Sequence, residues 1–306
     1  MQYVPIGNSL SVTKELSRGV PQGSILGPIL FLIYINDMQK CTSLKLIHYA
    51  DDSTALAEDD NPINLSLIVN NELEKIDEWT RANKLSLNID KTYFSLITTK
   101  TIRSIPDIII RNQIISRSKS QKFLGIFVDE RLTFKDQINK ICKKVSSGIG
   151  ILKKLKSFIA PEILLKIYNA IILPHIIYAV EAWGASSKVG IKRLNNLINK
   201  AKRFVDSNAI LSLDKIHERF CLIKLFKYFI RKDSNYFYQK FVSNIPNHSI
   251  RTRSNVNNLF TNPRIVSSKY KSSFFYKSCK YWNKLPNNIR NIKKVAKFKR
   301  MLKNRS

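Results

Sequence analysis

Short apolar runs and helical stripes alternate along the chain and fall into an order. Gln2–Ile6 and Leu10–Val12 flank Gly7-Asn8, which predicts a hairpin. Leu26, Ile29, Leu30, Ile33 and Tyr34 recur at helical spacing behind Pro28, giving a helix with an apolar face that ends around Asn36–Met38. Leu44–His48 and Ser53–Ala57 have strand length and enclose Tyr49-Ala50-Asp51-Asp52, so two carboxylates sit at the tip of a tight turn. Asn61-Pro62 starts a helix with Leu65, Val69, Leu73, Ile76 and Trp79 on one face. Glu72, Glu74 and Glu78 fall on its other faces and read as solvated surface. The segment 93–128 is strand-rich, with Tyr93–Ile97 and Ile108–Ile110 as candidates. Beyond it the pattern turns helical. Ile138, Cys142, Val145, Ile149, Leu152 and Leu155 mark one helix from about Phe134 to Ile159. A second starts near Ala160-Pro161-Glu162, and a third runs through Ile191, Leu194, Ile198, Ala201 and Val205.

Composition makes this globular and long enough for two domains: 306 residues, 44% hydrophobic, 10% aromatic. Charge narrows the partners. A net +30, from 52 Lys+Arg against 22 Asp+Glu, favours a polyanion, nucleic acid first and an anionic membrane second. The last acid is Asp233, and residues 234–306 hold 17 Lys+Arg and no carboxylate. Aromatics interleave there: Tyr236, Phe237, Tyr238, Phe274, Phe275, Tyr276, Tyr281 and Trp282. Such rings can stack on bases or form a core, and Trp282 reads as core. Lys293, Lys294, Lys297, Lys299 and Arg300 also fit a nuclear localisation run. The four cysteines lack ligand-like spacing, so zinc and a disulfide framework are set aside and a reducing, intracellular setting fits. The start lacks a signal-peptide pattern. Lys166, Pro174 and His175 interrupt the apolar stretch Leu164–Val180, which reads as a buried helix pair rather than a membrane span. His175 reads as a core or cap residue. His48 and His217 carry no assigned role.

Two stretches carry candidate chemistry. Adjacent carboxylates repel unless a cation or water lies between them, and hard oxygen donors at a hairpin tip suit Mg²⁺. Gly19-Val20-Pro21-Gln22-Gly23-Ser24-Ile25-Leu26-Gly27-Pro28 is a shaped loop feeding a helix, a form that can cradle phosphates or let backbone approach a base.

In this order and spacing the two stretches resemble motifs B and C of the reverse transcriptases of jockey-like retrotransposons that lack long terminal repeats. The resemblance continues. Asn83–Thr92 is similar to motif D, and Lys122–Asp129 to motif E, the primer grip. Tyr168-Asn169-Ala170, Leu173-Pro174-His175, Trp183-Gly184 and Trp282-Asn283-Lys284-Leu285-Pro286 match later blocks.

The resemblance implies an α+β fold. A partial polymerase palm, an antiparallel sheet with packed helices, would occupy 1–132. A helical thumb would follow at 133–233, then a basic, helical, nucleic-acid-binding region at 234–306. It implies an RNA-directed DNA polymerase using Mg²⁺ (or Mn²⁺) in a two-metal mechanism. Asp51 would be the principal metal ligand and Asp52 a weaker or structural one. Lys91 would neutralise or protonate the triphosphate. Pro21, Gln22, Gly23, Ser24 and Tyr49 would bind nucleotide and template, and Phe123, Leu124 and Gly125 would hold the primer end. Partners would be an RNA template, a DNA primer and deoxynucleoside triphosphates, without a membrane, and the setting nuclear. One departure matters. The family's motif A supplies a further metal-binding aspartate before motif B, and only Glu15 and Asp37 precede the hairpin here, neither in a motif A context. The expectation is a chain starting after motif A, without the fingers and the amino-terminal endonuclease, and inactive alone unless a missing upstream segment of a longer polyprotein completes it. The alternative is a non-catalytic nucleic-acid-binding remnant.

Overall fold

The computed structural model describes residues 3–13, 15, 19–20, 23–100, 102, 104–205, 209–243, 259–261 and 267–304. The fold is α+β. It divides into two compact units, residues 1–94 with 100–118, and residues 95–99 with 119–306.

The first unit is built on the Pro62–Ala82 helix. Asn61 caps it, its side chain accepting from the Ile63 amide at 2.9 Å, and Pro62 fills the first turn. Val69 and Leu73 pack on a small core of Ile108, Ile110 and Ile115, joined by Leu87, Ile89 and Phe94. Sheets here are short. Pro5–Ile6 pairs with Ser9–Leu10 around the Gly7-Asn8 turn, as the pattern predicts. Ile109–Ile110 pairs with Gln113–Ile114 across Arg111 and Asn112, both at positive φ, the geometry of a type I′ turn. The run expected as one strand over Tyr93–Ile97 is a strand only at Tyr93–Phe94, which pairs in parallel with Ser116–Arg117.

Two expectations fail in this unit. The predicted apolar face of the Gly27–Ile35 helix is not covered: Leu26, Ile29, Leu30, Ile33 and Tyr34 are exposed, and only Gly27 and Ile35 are buried. The sequence GPILFLIYI has no polar side, so spacing alone could not orient it. Nor is Glu72 a solvated surface residue. It is buried, as are Asp77, Ser66 and Thr80 on the same helix. Asp77 bonds to Arg111 at 2.7 Å and Arg81 at 2.8 Å. Asn70 reaches the Ile109 strand, donating to the Asp107 carbonyl and accepting from the Ile109 amide, both at 2.9 Å.

The second unit holds two helical cores. In the first, Ile138, Cys142, Val145, Ile149 and Leu152 of the Lys135–Leu155 helix face Leu194, Ile198, Ala201 and Val205 of the Lys188–Val205 helix. The apolar stretch from Leu164 becomes three short helices, Pro161–Ile171, Leu173–Ile177 and Val180–Trp183, which bury Leu164, Tyr168, Ile172, Ile176 and Trp183. No described helix is long and apolar enough to cross a membrane. His175 is exposed, not core, because it lies on the outer side of the five-residue helix whose Ile176 points inward.

The Leu213–Phe229 helix is apolar on opposite sides and serves both cores. Leu213 and Ile216 join the first, while Leu222, Leu225 and Phe226 join the second. The second core is completed by Phe241, Phe260, Phe275, Trp282, Leu285, Ile289, Phe298 and Leu302. The interleaved aromatics are therefore largely packing. Phe237 stacks on Tyr228 and Phe274 meets that ring edge-on, and of these aromatics only Tyr236 is widely exposed. His217, given no role by sequence, is buried and bonds Tyr281 Oη through Nδ1 at 3.2 Å. Burial, then Lys277, hold its pKa down at about 4, so it is neutral in the fold. Gly184 leaves room for this ring: a Cβ there would lie 2.5 Å from the Val180 carbonyl oxygen and 2.7 Å from His217 Cδ2.

Two measurements follow from this packing. Gly184→Ala forces backbone and His217 apart, and chemical denaturation of the second unit should show a loss of about 1–3 kcal/mol. Truncation after Asp233 uncovers Leu222, Leu225 and Phe226. The shortened chain should lose cooperative unfolding and aggregate, and an unchanged melting profile would contradict the shared-helix packing.

Candidate active-site hairpin

The sequence-singled carboxylates sit where a strand–turn–strand pattern puts them. Lys45–Tyr49 pairs with Asp52–Leu56 in antiparallel register, Tyr49 opposite Asp52, leaving Ala50 and Asp51 as the turn. Ala50 takes a left-handed φ of +51° to close it. Period-two alternation puts Tyr49 and Asp52 on one face, and Asp51 at the tip. Tyr49, Asp51 and Asp52 are all exposed. No side-chain hydrogen bond or ion pair joins either carboxylate to another described residue. His48 Nδ1 and Ser53 Oγ, 2.8 Å apart, link the strands on the opposite face.

What fixes the base of the hairpin is the buried Glu72. Its Oε2 accepts from Thr42 Oγ1 and from the Ser43 amide, each at 2.6 Å, and its Oε1 from Lys75 Nζ at 2.6 Å. Gln39 works beside it. Its Oε1 accepts from the Leu46 amide at 2.8 Å and its Nε2 donates to the Leu44 carbonyl at 2.8 Å, so one side chain substitutes for a neighbouring strand. Lys75, Thr42 and the Ser43 amide, in that order of effect, hold the Glu72 carboxyl down at about 2, well below the usual value near 4.5. Sequence spacing missed both anchors, since a polar side chain that caps a strand edge has no periodic signature. A carboxylate one residue from the apolar stripe was the available signal.

The remaining candidates are placed as follows. Pro21 and Gln22 lie outside the described residues. Gly23 has φ +87° and is exposed. Ser24 Oγ accepts from the Gly27 amide at 3.0 Å, capping the start of the Gly27–Ile35 helix. Tyr34 Oη of that helix donates to the Asn83 carbonyl at the start of the motif D stretch. Lys91 ends the short Ile89–Lys91 turn, capped by Asn88, and is exposed. These residues belong to the first unit.

Phe123, Leu124 and Gly125 belong to the second unit. Ser120–Phe123 pairs with Ile126–Asp129, and the turn residues Leu124 and Gly125 have φ +43° and +87°. Tyr178, which sequence reading did not single out, holds this turn. Its hydroxyl donates to the Leu124 carbonyl at 2.7 Å, and its ring lies 3.4 Å from where a Gly125 Cβ would stand. Gln137 Oε1 accepts from the Phe127 amide at 3.1 Å, and Asp129 accepts from the Thr133 amide at 3.0 Å and the Phe134 amide at 2.5 Å, fixing the start of the Lys135–Leu155 helix.

As metal donors, Asp51 and Asp52 are right in kind and too few in number. A small divalent ion takes about six oxygens in near-octahedral array. Among the described residues no group of three or more His, Cys, Asp or Glu could hold an ion. The described chain does not build a metal centre by itself.

Residues 2–128 match the family described as reverse transcriptase (RNA-dependent DNA polymerase). The chain is 26% identical over 204 residues to the RNA-directed DNA polymerase from mobile element jockey of Drosophila funebris, covering 63% of this chain and 22% of that protein. It is 27% identical over 206 residues to the probable RNA-directed DNA polymerase from transposon X-element of Drosophila melanogaster, covering 65% and 23%. It is 26% identical over 201 residues to a retrovirus-related Pol polyprotein from type-1 retrotransposable element R1 2 of Nasonia vitripennis, covering 61% and 48%. The matched region thus spans less than a quarter of the first two relatives. No solved structure matches.

Glu72 yields a signed pH prediction. A carboxyl whose folded pKa is depressed contributes stability that is present above about 4.5 and lost as pH falls toward 2. In Glu72→Gln the stability of the first unit should fall less steeply between those pH values than in the parent. Amide exchange at Ser43 and Leu46 should rise in the variant, and parallel acid profiles would show that Glu72 is not the anchor.

Proposed function

Residues 2–128 belong to the reverse transcriptase family, and from that premise we propose that this chain carries the catalytic hairpin of a retrotransposon RNA-directed DNA polymerase. The observation that supports it best is the hairpin: two exposed carboxylates on adjacent residues, unpaired among the described residues, on a turn whose base is fixed by a buried glutamate. Asp51 and Asp52 would offer oxygen donors to Mg²⁺ or Mn²⁺ once a further carboxylate, of the kind motif A supplies, completes the set. When bound, such ions lower the pKa of an attacking hydroxyl and stabilise a leaving pyrophosphate.

The chain's own residues would do the positioning. Tyr49 shares a face with Asp52 and offers a ring to a nucleotide. Gly23 and Ser24 shape the loop before the Gly27–Ile35 helix, with Pro21 and Gln22 assigned there by resemblance. Lys91, exposed, would meet triphosphate. Phe123, Leu124 and Gly125, stiffened by Tyr178, would hold the primer end. The palm and thumb divisions at 1–132 and 133–233, and the basic region at 234–306, remain the functional divisions we assign. An RNA template, DNA primer and deoxynucleoside triphosphates would be the partners, and the net charge of +30 suits them. The basic run near the carboxyl end would direct the protein to the nucleus.

A second reading, a nucleic-acid-binding remnant without polymerisation, is favoured by one observation: no third carboxylate joins Asp51 and Asp52 among the described residues. Primer extension on a primed RNA template separates the readings. Residues 1–306 alone should incorporate no nucleotide. A longer chain carrying a motif A aspartate should incorporate, and Asp51→Asn in it should abolish incorporation. Activity of the 306-residue chain that Asp51→Asn removes would mean another acid completes the site. Failure of the longer chain would favour the remnant.

The charge gives a binding prediction as well. Affinity for a primer–template duplex should fall by about 10³–10⁵ between roughly 50 and 200 mM salt if six to ten phosphates are contacted. A flat salt response in fluorescence anisotropy would reject nucleic-acid binding.

A further inference from the structure

A cleft of about 490 Å³ opens where the Leu213–Phe229 helix ends, lined by Ile230, Arg231, Arg290, Asn291, Ile292 and Lys293. Three of these six are cations and none is acidic. Arg290 is only 7% exposed. An arginine keeps its charge when buried, and a buried cation ordinarily has a carboxylate beside it. No carboxylate pairs with Arg290 among the described residues, and none follows Asp233 in the sequence. Asp233 itself lies 3.3 Å from Arg231.

The guanidinium is also under-used. Its Nη1 donates to the Asn283 carbonyl at 3.4 Å and its Nη2 to Asn287 Oδ1. Its Nε is buried without a hydrogen-bond partner among the described residues. An unpartnered buried polar atom on a cation is costly unless an anion offsets it. The surroundings fit a particular anion. Ile230 and Ile292 give the cleft an apolar wall, and its volume exceeds what a lone phosphate needs. Exposed Lys293 and Lys294 lead into the Val295–Asn304 helix, whose Phe298 and Leu302 are buried while Lys297, Lys299 and Arg300 are exposed. Positive charge thus continues from the cleft along the next element.

We propose that this cleft is a phosphate-binding site that takes a phosphodiester of a nucleic-acid backbone, held by Arg290 with Lys293 and Arg231 at its rim. The apolar wall receives the adjoining sugar, and the cations of the final helix follow neighbouring phosphates. The partner class rests on the nucleic-acid reading above. The site itself is separate from the Asp51–Asp52 hairpin in sequence and in residues.

The test uses the full chain labelled with ¹⁵N and two probes, a short primer–template duplex and inorganic phosphate. The Arg290 Nε–H resonance, identified by its loss in Arg290→Lys, reports on the guanidinium that lines the cleft. Duplex should shift it at the concentrations where anisotropy shows binding. Inorganic phosphate should shift it only at much higher concentration. Lys293→Gln, at an exposed position that leaves the core intact, should lower the slope of log affinity against log salt by about one. Duplex binding with an unmoved Arg290 signal and an unchanged Lys293→Gln slope would overturn the site while leaving nucleic-acid binding intact. A signal moved by inorganic phosphate but not by duplex would overturn the assigned source. Absence of duplex binding at every salt would overturn the nucleic-acid reading and this proposal with it, and anisotropy alone would reveal that case.

Discussion

Every described sheet has only two strands, so each strand presents an outer edge of backbone N–H and C=O groups that must find partners elsewhere. Much of the polar architecture answers that constraint. Gln39 pairs with Leu44 and Leu46, Glu72 with Ser43, and Asn70 with Asp107 and Ile109. In the second unit Gln137 pairs with Phe127 and Tyr178 with Leu124. Gln39, Asn70 and Gln137 reach the strand residues Leu46, Ile109 and Phe127, while Glu72 and Tyr178 hold the chain just outside a strand. A chain of small hairpins becomes rigid this way because helices deliver such groups to defined heights along each edge.

The same constraint shapes the candidate chemistry. A hairpin tip with two carboxylates is useful only if its base does not move, since positioning errors of about 1 Å can cost around 10²-fold in rate. Glu72 and Gln39 hold the base, and no described side chain pairs with the carboxylates at the tip. The anchor is charged and the tip is charged, yet their environments differ. Three donors stabilise the Glu72 carboxylate, while Asp51 and Asp52 face solvent.

Helical packing organises the rest through the Leu213–Phe229 helix. Its two apolar sides hold the described part of the basic carboxyl-terminal segment: Phe275, Trp282, Phe298 and Leu302 close a core against it. With the rings inside, Lys293, Lys294, Lys297, Lys299 and Arg300 are left outside, and the phosphate cleft at the buried Arg290 forms where that core meets the helix end. In the first unit the Gly27–Ile35 helix stands in contrast, apolar all round with Ile29, Leu30, Leu32, Ile33 and Tyr34 exposed.

The sequence by itself determined the elements whose signals are local. Asn61-Pro62 starts its helix, Gly7-Asn8 and Ala50-Asp51 turn their hairpins, and the stripe through Cys142, Val145 and Leu152 faces a core. Motif spacing also pointed to the reverse transcriptase family that residues 2–128 match, because turn glycines and paired aspartates are constrained by neighbours a few residues away. Tertiary structure decided what depends on distant partners. It buried Glu72, Asp77 and His217, which no period marks, and turned the tail aromatics other than Tyr236 inward. It left His175 and the face at Ile29, Ile33 and Tyr34 outside. Periodicity states which residues share a face, but a face is buried only if something packs on it, and that partner lies elsewhere in the chain.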